Sequence, residues 1–129
     1  MLKRQKTDDI FSIAGLGWIM AEANRSGRPS VVNLSLGGGA SSPLDGAVLA
    51  LTSTGVHVAV AAGNSNKNAK DTSPARAPTA ITVAASTIND ARASFSNYGA
   101  VVDVFAPGES IISAWINSNS VSAFLGCVV

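Results

Sequence analysis

Two short β-rich apolar runs, Val31 to Leu36 and Val56 to Val60, flank a stretch with helical spacing, and only a few residues link the three. That order constrains the fold more than any other feature. Leu44, Ala47, Val48 and Leu51 fall on one helical face. Ser42 before Pro43, with Asp45 three residues after Ser42, predicts a capping-box-like start, and Gly55 a stop. A strand, a helix and a strand joined this tightly form a right-handed crossover with parallel strands. Both strands then finish on one rim of the sheet. Gly37-Gly38-Gly39 and Ala61-Ala62-Gly63-Asn64 therefore fall on that rim, where open α/β sheets bind their ligands.

Upstream, Ile10, Ile13, Ala14, Gly17, Trp18 and Ala21 predict a helix with its buried stripe on those residues. Thr7, Asp8 and Asp9 suit its first turn, and Gly27 with Pro29 should end it near Arg25 or Ser26. Downstream, the polar stretch from Ser65 to Pro78 reads as a surface loop. Ala80 to Ala84 and Val101 to Phe105 read as the third and fourth strands. Phe95-Ser96-Asn97-Tyr98-Gly99 between them is expected to turn with both aromatics tucked under it. Pro107-Gly108 makes a further turn before Ser110 to Trp115, and Val121 to Val129 is apolar with neither helix caps nor strand alternation.

With 129 residues, 47% hydrophobic, 13% charged and net charge +1, the sequence suits one globular domain and offers no electrostatic footprint for nucleic acid. Lys3, Arg4 and Lys6 read as a solvated end. No apolar run reaches membrane-span length, and the residues after Met1 lack the apolar segment of a signal peptide. Cys127 is the single cysteine, without an internal disulfide partner, and reads as inert. His57, the single histidine, lies inside an apolar strand and reads as a packed core or sheet-face histidine rather than a general base. No His and Cys cluster exists for zinc.

Three features remain open on spacing. Asn64 offers a side-chain amide at a strand end, either as a turn cap or as a donor to a ligand. The glycine triplet invites a nucleotide-binding reading, but Ser42 stands where the sixth position of G-x-G-x-x-G needs glycine, and no basic residue lies near. Asp103 interrupts an apolar run and, if buried, must be paired or bound to an ion.

The segments Asn33-Leu34-Ser35-Leu36-Gly37-Gly38-Gly39, Val58-Ala59-Val60-Ala61-Ala62-Gly63-Asn64, Ser73-Pro74-Ala75, Ser94-Phe95-Ser96-Asn97-Tyr98-Gly99 and Phe105-Ala106-Pro107-Gly108 occur in order and in register. Together they resemble the subtilisin-like serine proteases, most nearly the proteinase K-like fungal branch, from about Asp8 to Trp115, with 117–129 diverging. The resemblance implies an α/β fold: one partial peptidase domain over 1–129, a three-layer arrangement with a mainly parallel sheet flanked by helices, truncated at both ends. It implies that Ser35, Leu36, Gly37 and Gly38 form the edge on which a substrate backbone pairs, and that Ala61, Ala62 and Gly63 wall a side-chain pocket. Asn64 would donate to the oxyanion of the tetrahedral intermediate. Asp103, with the backbone carbonyls of Pro78 and Ala80, matches a calcium site, and no cofactor is needed for the chemistry. The partner would be a peptide or protein substrate, with neither nucleic acid nor membrane involved, and the parent family is typically secreted. The cysteine that often occupies the third strand of that branch is replaced by Ile81, so its disulfide is absent.

The departures concern catalysis. The family's catalytic Asp and His-Gly-Thr-His segment lie upstream of the position of Asp8, and neither occurs here. Its nucleophile segment, Gly-Thr-Ser-Met-Ala, is expected after the strand near Trp115, where this sequence reads Asn117 to Cys127 without it. The expectation is a fragment of a serine endopeptidase with the substrate edge and the oxyanion donor but without the Asp, His and Ser triad, inactive as written. A non-catalytic peptide-binding remnant is the alternative, and a nucleotide-binding α/β domain the third reading. Exposed sheet edges and apolar faces predict poor solubility.

Overall fold

The structure, a computed structural model, describes the backbone of residues 2–115 and 118–124 and the side chains of residues 9–112. Its centre is a parallel sheet of β1 (Val31–Leu34), β3 (His57–Ala61), β5 (Ile81–Ser86) and β6 (Val104–Pro107), in that spatial order. Helix α2 (Ser42–Thr52) connects β1 to β3, as the crossover pattern requires, and Val31 pairs with His57 while Leu34 pairs with Val60. Two short ladders lie outside the sheet: β2 (Gly38–Gly39) antiparallel to β4 (Thr72–Ser73), and β7 (Ile111–Trp115) antiparallel to β8 (Ser118–Phe124).

Alternation decides the layers. Val58 and Val60 of β3 and Val32 of β1 are buried against Leu44, Val48 and Leu51 of α2 and Leu16 of α1 (Leu2–Ser26). Their strand neighbours Val31, Asn33, His57 and Ile81 are exposed, so among the described residues the helices cover one face of this part of the sheet. A second cluster, of small residues, joins Ala62, Ala69, Ala75 and Ala84, with Val101 and Val102 packed against it. Because these side chains are short, the loop after β3 lies close against β5.

Several local expectations change. Helix α1 begins at Leu2, so Asp8 and Asp9 lie within it, not in its first turn; Gly27, at φ +61, ends it as expected, its N–H donating to Ala23 C=O. Its buried stripe is Leu16 with Ile13, Ile19, Met20 and Ala23, whereas Ile10, Ala14, Gly17, Trp18 and Ala21 are exposed. Apolar residues surround this helix, so periodicity does not choose a face; packing against α2 and β1–β3 does. Ser41, not Ser42, is the N-cap of α2 and makes no side-chain capping bond, and Asp45 turns instead to Arg76, at 2.6 Å. The stretch 65–78 holds a 3-10 turn (Ala69–Asp71) and β4, and Thr72 to Ala75 are buried, so it is no mere surface loop. His57 is exposed at the start of β3, and Tyr98 is exposed with the guanidinium of Arg92 5.1 Å above its ring. Val101 to Asp103 precede β6 and do not belong to it. Residues 118–124 form β8, where no strand was expected. Cys127 lies outside the described residues.

Candidate active site

At the carboxyl end of β3, Ala61 and Ala62 are buried, and Ala62 N–H donates to Val83 C=O at 2.8 Å. Their small side chains let the chain stay against β5. At Gly63 the backbone turns with φ +104, a conformation that favours glycine. Asn64 follows, exposed, on the rim. From β1, Ser35, Leu36 and Gly37 continue over the same rim and enter β2, where Gly38 pairs with Ser73 and Gly39 with Thr72. The buried Ser73 hydroxyl accepts a hydrogen bond from Ser41 N–H at 2.8 Å, so β4 ties the glycine segment to the start of α2.

These segments enclose a cleft of about 370 Å³. Ser35, Leu36, Gly37 and Gly38 line it together with Ala61, Gly63 and Asn64. Ala62 is fully buried beneath and packs in the small-residue cluster instead. Thr72, Asn97, Ser65 and Lys67 also line the cleft, and among the described residues Lys67 is the one titratable member of its walls. A Cβ on Gly37 would meet Ser73 C=O at 3.2 Å, so the close approach that this glycine permits is to β4.

His57 stands at the other end of β3. Four residue steps separate it from Ala61, about 13 Å at the usual strand rise, so its imidazole is far from the cleft. Asp103 is exposed where the chain enters β6; its Oδ2 accepts from Thr82 N–H at 2.7 Å, and its own N–H donates to Thr82 C=O at 2.9 Å. Pro78 and Ala80 lie just before Thr82 in the approach to β5. Oxygen donors of this kind suit a hard cation, although Asp103 is the one carboxylate in the set. Among the described residues no three His, Cys, Asp or Glu side chains gather as a metal site.

The model of the subtilase (peptidase S8) family matches residues 2–126. The chain belongs to the subtilase family. It is 55% identical over 108 residues to an extracellular serine proteinase of Thermus sp. (strain Rt41A), a match over 84% of this chain and 26% of that protein. A subtilisin-like serine protease of Rhodotorula mucilaginosa is 59% identical over 96 residues, covering 74% of this chain and 28% of its own length. Among solved structures, a cold-adapted subtilisin-like serine proteinase superposes with a TM-score of 0.80 at 47% identity, over 88% of this chain and 40% of that one. The chain thus spans little more than a quarter of the length of these curated relatives.

Within this subtilase segment, Ser65, Lys67, Thr72 and Asn97 line the cleft although reading the sequence gave them no role in a site; Asn97 entered there only as part of the 94–99 motif. Asn97 bonds to partners 25 to 35 residues away in sequence, a relation that no local periodicity carries.

Proposed function

We propose that this chain is the substrate-holding part of a subtilisin-like serine endopeptidase, and that as it stands it binds an extended peptide without hydrolysing it. The observation that carries this reading is the convergence of Ser35 to Gly38 and Ala61 to Asn64, from the ends of two parallel strands, on one cleft. A peptide main chain entering there adds to the Ser35–Gly37 edge as an extra strand, and its side chain enters between Ala61 and Gly63. The Asn64 amide then faces a backbone carbonyl as an N–H donor, the role of an oxyanion-hole asparagine. Acyl transfer also needs a nucleophile and a base within hydrogen-bond reach. His57 is at the far end of β3, and among the described residues Lys67 is the one titratable group lining the cleft.

Incubation with a fluorophosphonate serine probe and with casein tests the absence of turnover. No labelling and no cleavage are expected, and robust labelling of the folded chain would overturn the reading. Binding is tested separately by anisotropy with a labelled extended peptide and its backbone N-methylated analogue. Strand addition requires the peptide N–H groups, so the analogue should bind at least about tenfold more weakly. Equal affinity would exclude strand addition.

A structural calcium ion is part of the proposal. Asp103 and the carbonyls of Pro78 and Ala80 would hold it, with water completing the six to eight oxygens that calcium takes. It would brace the start of β5 against β6 and take no part in bond cleavage. A secreted parent protein is the corresponding proposal for location, supported by the relative named as extracellular. Nothing favours a nucleotide: Gly38 and Gly39 are engaged in the ladder with β4 instead of opening a helix toward a phosphate.

A further inference from the structure

Asn97 comes from a distant segment and is 1% exposed, yet nearly everything it touches belongs to the loop that carries Asn64. Its Oδ1 accepts from Ser65 N–H at 3.0 Å and from Lys67 N–H at 3.1 Å. Its Nδ2 donates to Ala62 C=O at 2.8 Å and to Thr72 Oγ1 at 3.5 Å. A primary amide has two donors and accepts twice, so this one is fully used. The backbone N–H of Asn97 adds a bond to Gly63 C=O at 2.8 Å. Asn64 is therefore bracketed: two residues before it and two after it are tied to one buried side chain and its backbone.

A buried amide that loses its partners is left unsolvated, so the loop and Asn97 cannot part without leaving polar groups unpaired. A loop held only by exposed bonds has no such penalty against opening, because water replaces each bond it loses. Gly63 fits this arrangement, since a Cβ there would stand 2.5 Å from Asn97 Nδ2.

We propose that Asn97 is the positioning residue for Asn64, holding the loop Ala62 to Lys67 in one conformation so that the Asn64 side chain meets a bound peptide without the loop having to be ordered first. The functional half of this inference rests on the peptide-binding reading of the cleft. Preorganisation of a donor in this way raises affinity by removing an ordering cost.

The test combines native-state amide hydrogen exchange with peptide binding on the intact chain. Asn97→Ala should speed exchange at Ser65 and Lys67 at least about tenfold while amides of β3 and β5 keep their rates. It should also weaken peptide binding about tenfold, and Asn64→Ala should add little further loss in that background, because an unheld donor is already largely lost. Asn97→Asp, which keeps the acceptor and the shape, should leave Ser65 and Lys67 protected and give an intermediate affinity; it also serves if the alanine variant does not fold. A merely structural role predicts exchange that quickens in parallel across the sheet, or losses for Asn64→Ala and Asn97→Ala that add; either result overturns the proposal. If the unmodified chain binds no peptide, the reading of the cleft falls, and the exchange pattern still decides whether Asn97 holds the loop.

Discussion

Gly63 and Asn97 are fitted to one another: a Cβ on the glycine would lie 2.5 Å from the Nδ2 of the asparagine, and the glycine backbone has φ +104. Gly63→Ala therefore meets both overpacking and backbone strain. The expected loss is at least about 2 kcal/mol, read as a lower denaturant midpoint with an unchanged slope.

Helix α1 buries the face that carries Leu16. Leu16 is 3% exposed, whereas Phe11 is 73% and Trp18 is 70% exposed. Leu16→Ala should cost roughly 2–5 kcal/mol. Phe11→Ser combined with Trp18→Ser should leave the unfolding midpoint within about 0.5 kcal/mol while reducing aggregation in light scattering. A large loss from the serine pair would contradict the exposure of Phe11 and Trp18, the second of which the apolar spacing had assigned to the buried stripe.

Arg76 reaches from the segment before β5 to Asp45 in the first turn of α2, Nε to Oδ2 at 2.6 Å, and Asp45 Oδ1 is buried without a hydrogen-bond partner. Removing the guanidinium leaves a carboxylate short of donors, helped in part by the positive end of the helix. Arg76→Ala should cost roughly 1–3 kcal/mol, and adding Asp45→Ala should recover part of it. Chemical denaturation of both variants and the double variant measures the coupling.

Calcium should raise the melting temperature of the chain if Asp103 holds an ion. At a concentration of one hundred times the dissociation constant, linkage gives about 2.7 kcal/mol. Asp103→Asn should abolish the response, and magnesium should not reproduce it, because its smaller, octahedral shell does not suit one carboxylate with two carbonyls.

Among the described residues that line the cleft, Lys67 is the one that carries a charge, and none is a carboxylate. Peptides with Glu at the residue nearest Asn64 should bind several-fold more tightly than those with Lys at low ionic strength, and salt should erase the difference. Lys67→Glu should reverse the order in anisotropy titrations.

What the sequence determined by itself is the crossover. Val31 to Leu34, the stripe Leu44, Val48 and Leu51, and the run ending at Ala61 carry alternation and helical spacing within a few residues of each other, and short links leave one handedness. Parallel strands then bring the glycine segment and Asn64 to one rim. Tertiary structure decided what lies under that rim. The sequence contains Asn97, but only folding puts its amide between Ala62 and Lys67, because hydrogen bonds across thirty residues leave no periodic trace. The same holds for the buried face of α1, where apolar residues lie on every side and the neighbouring helix makes the choice, and for Asp45, whose partner Arg76 arrives from beyond β3.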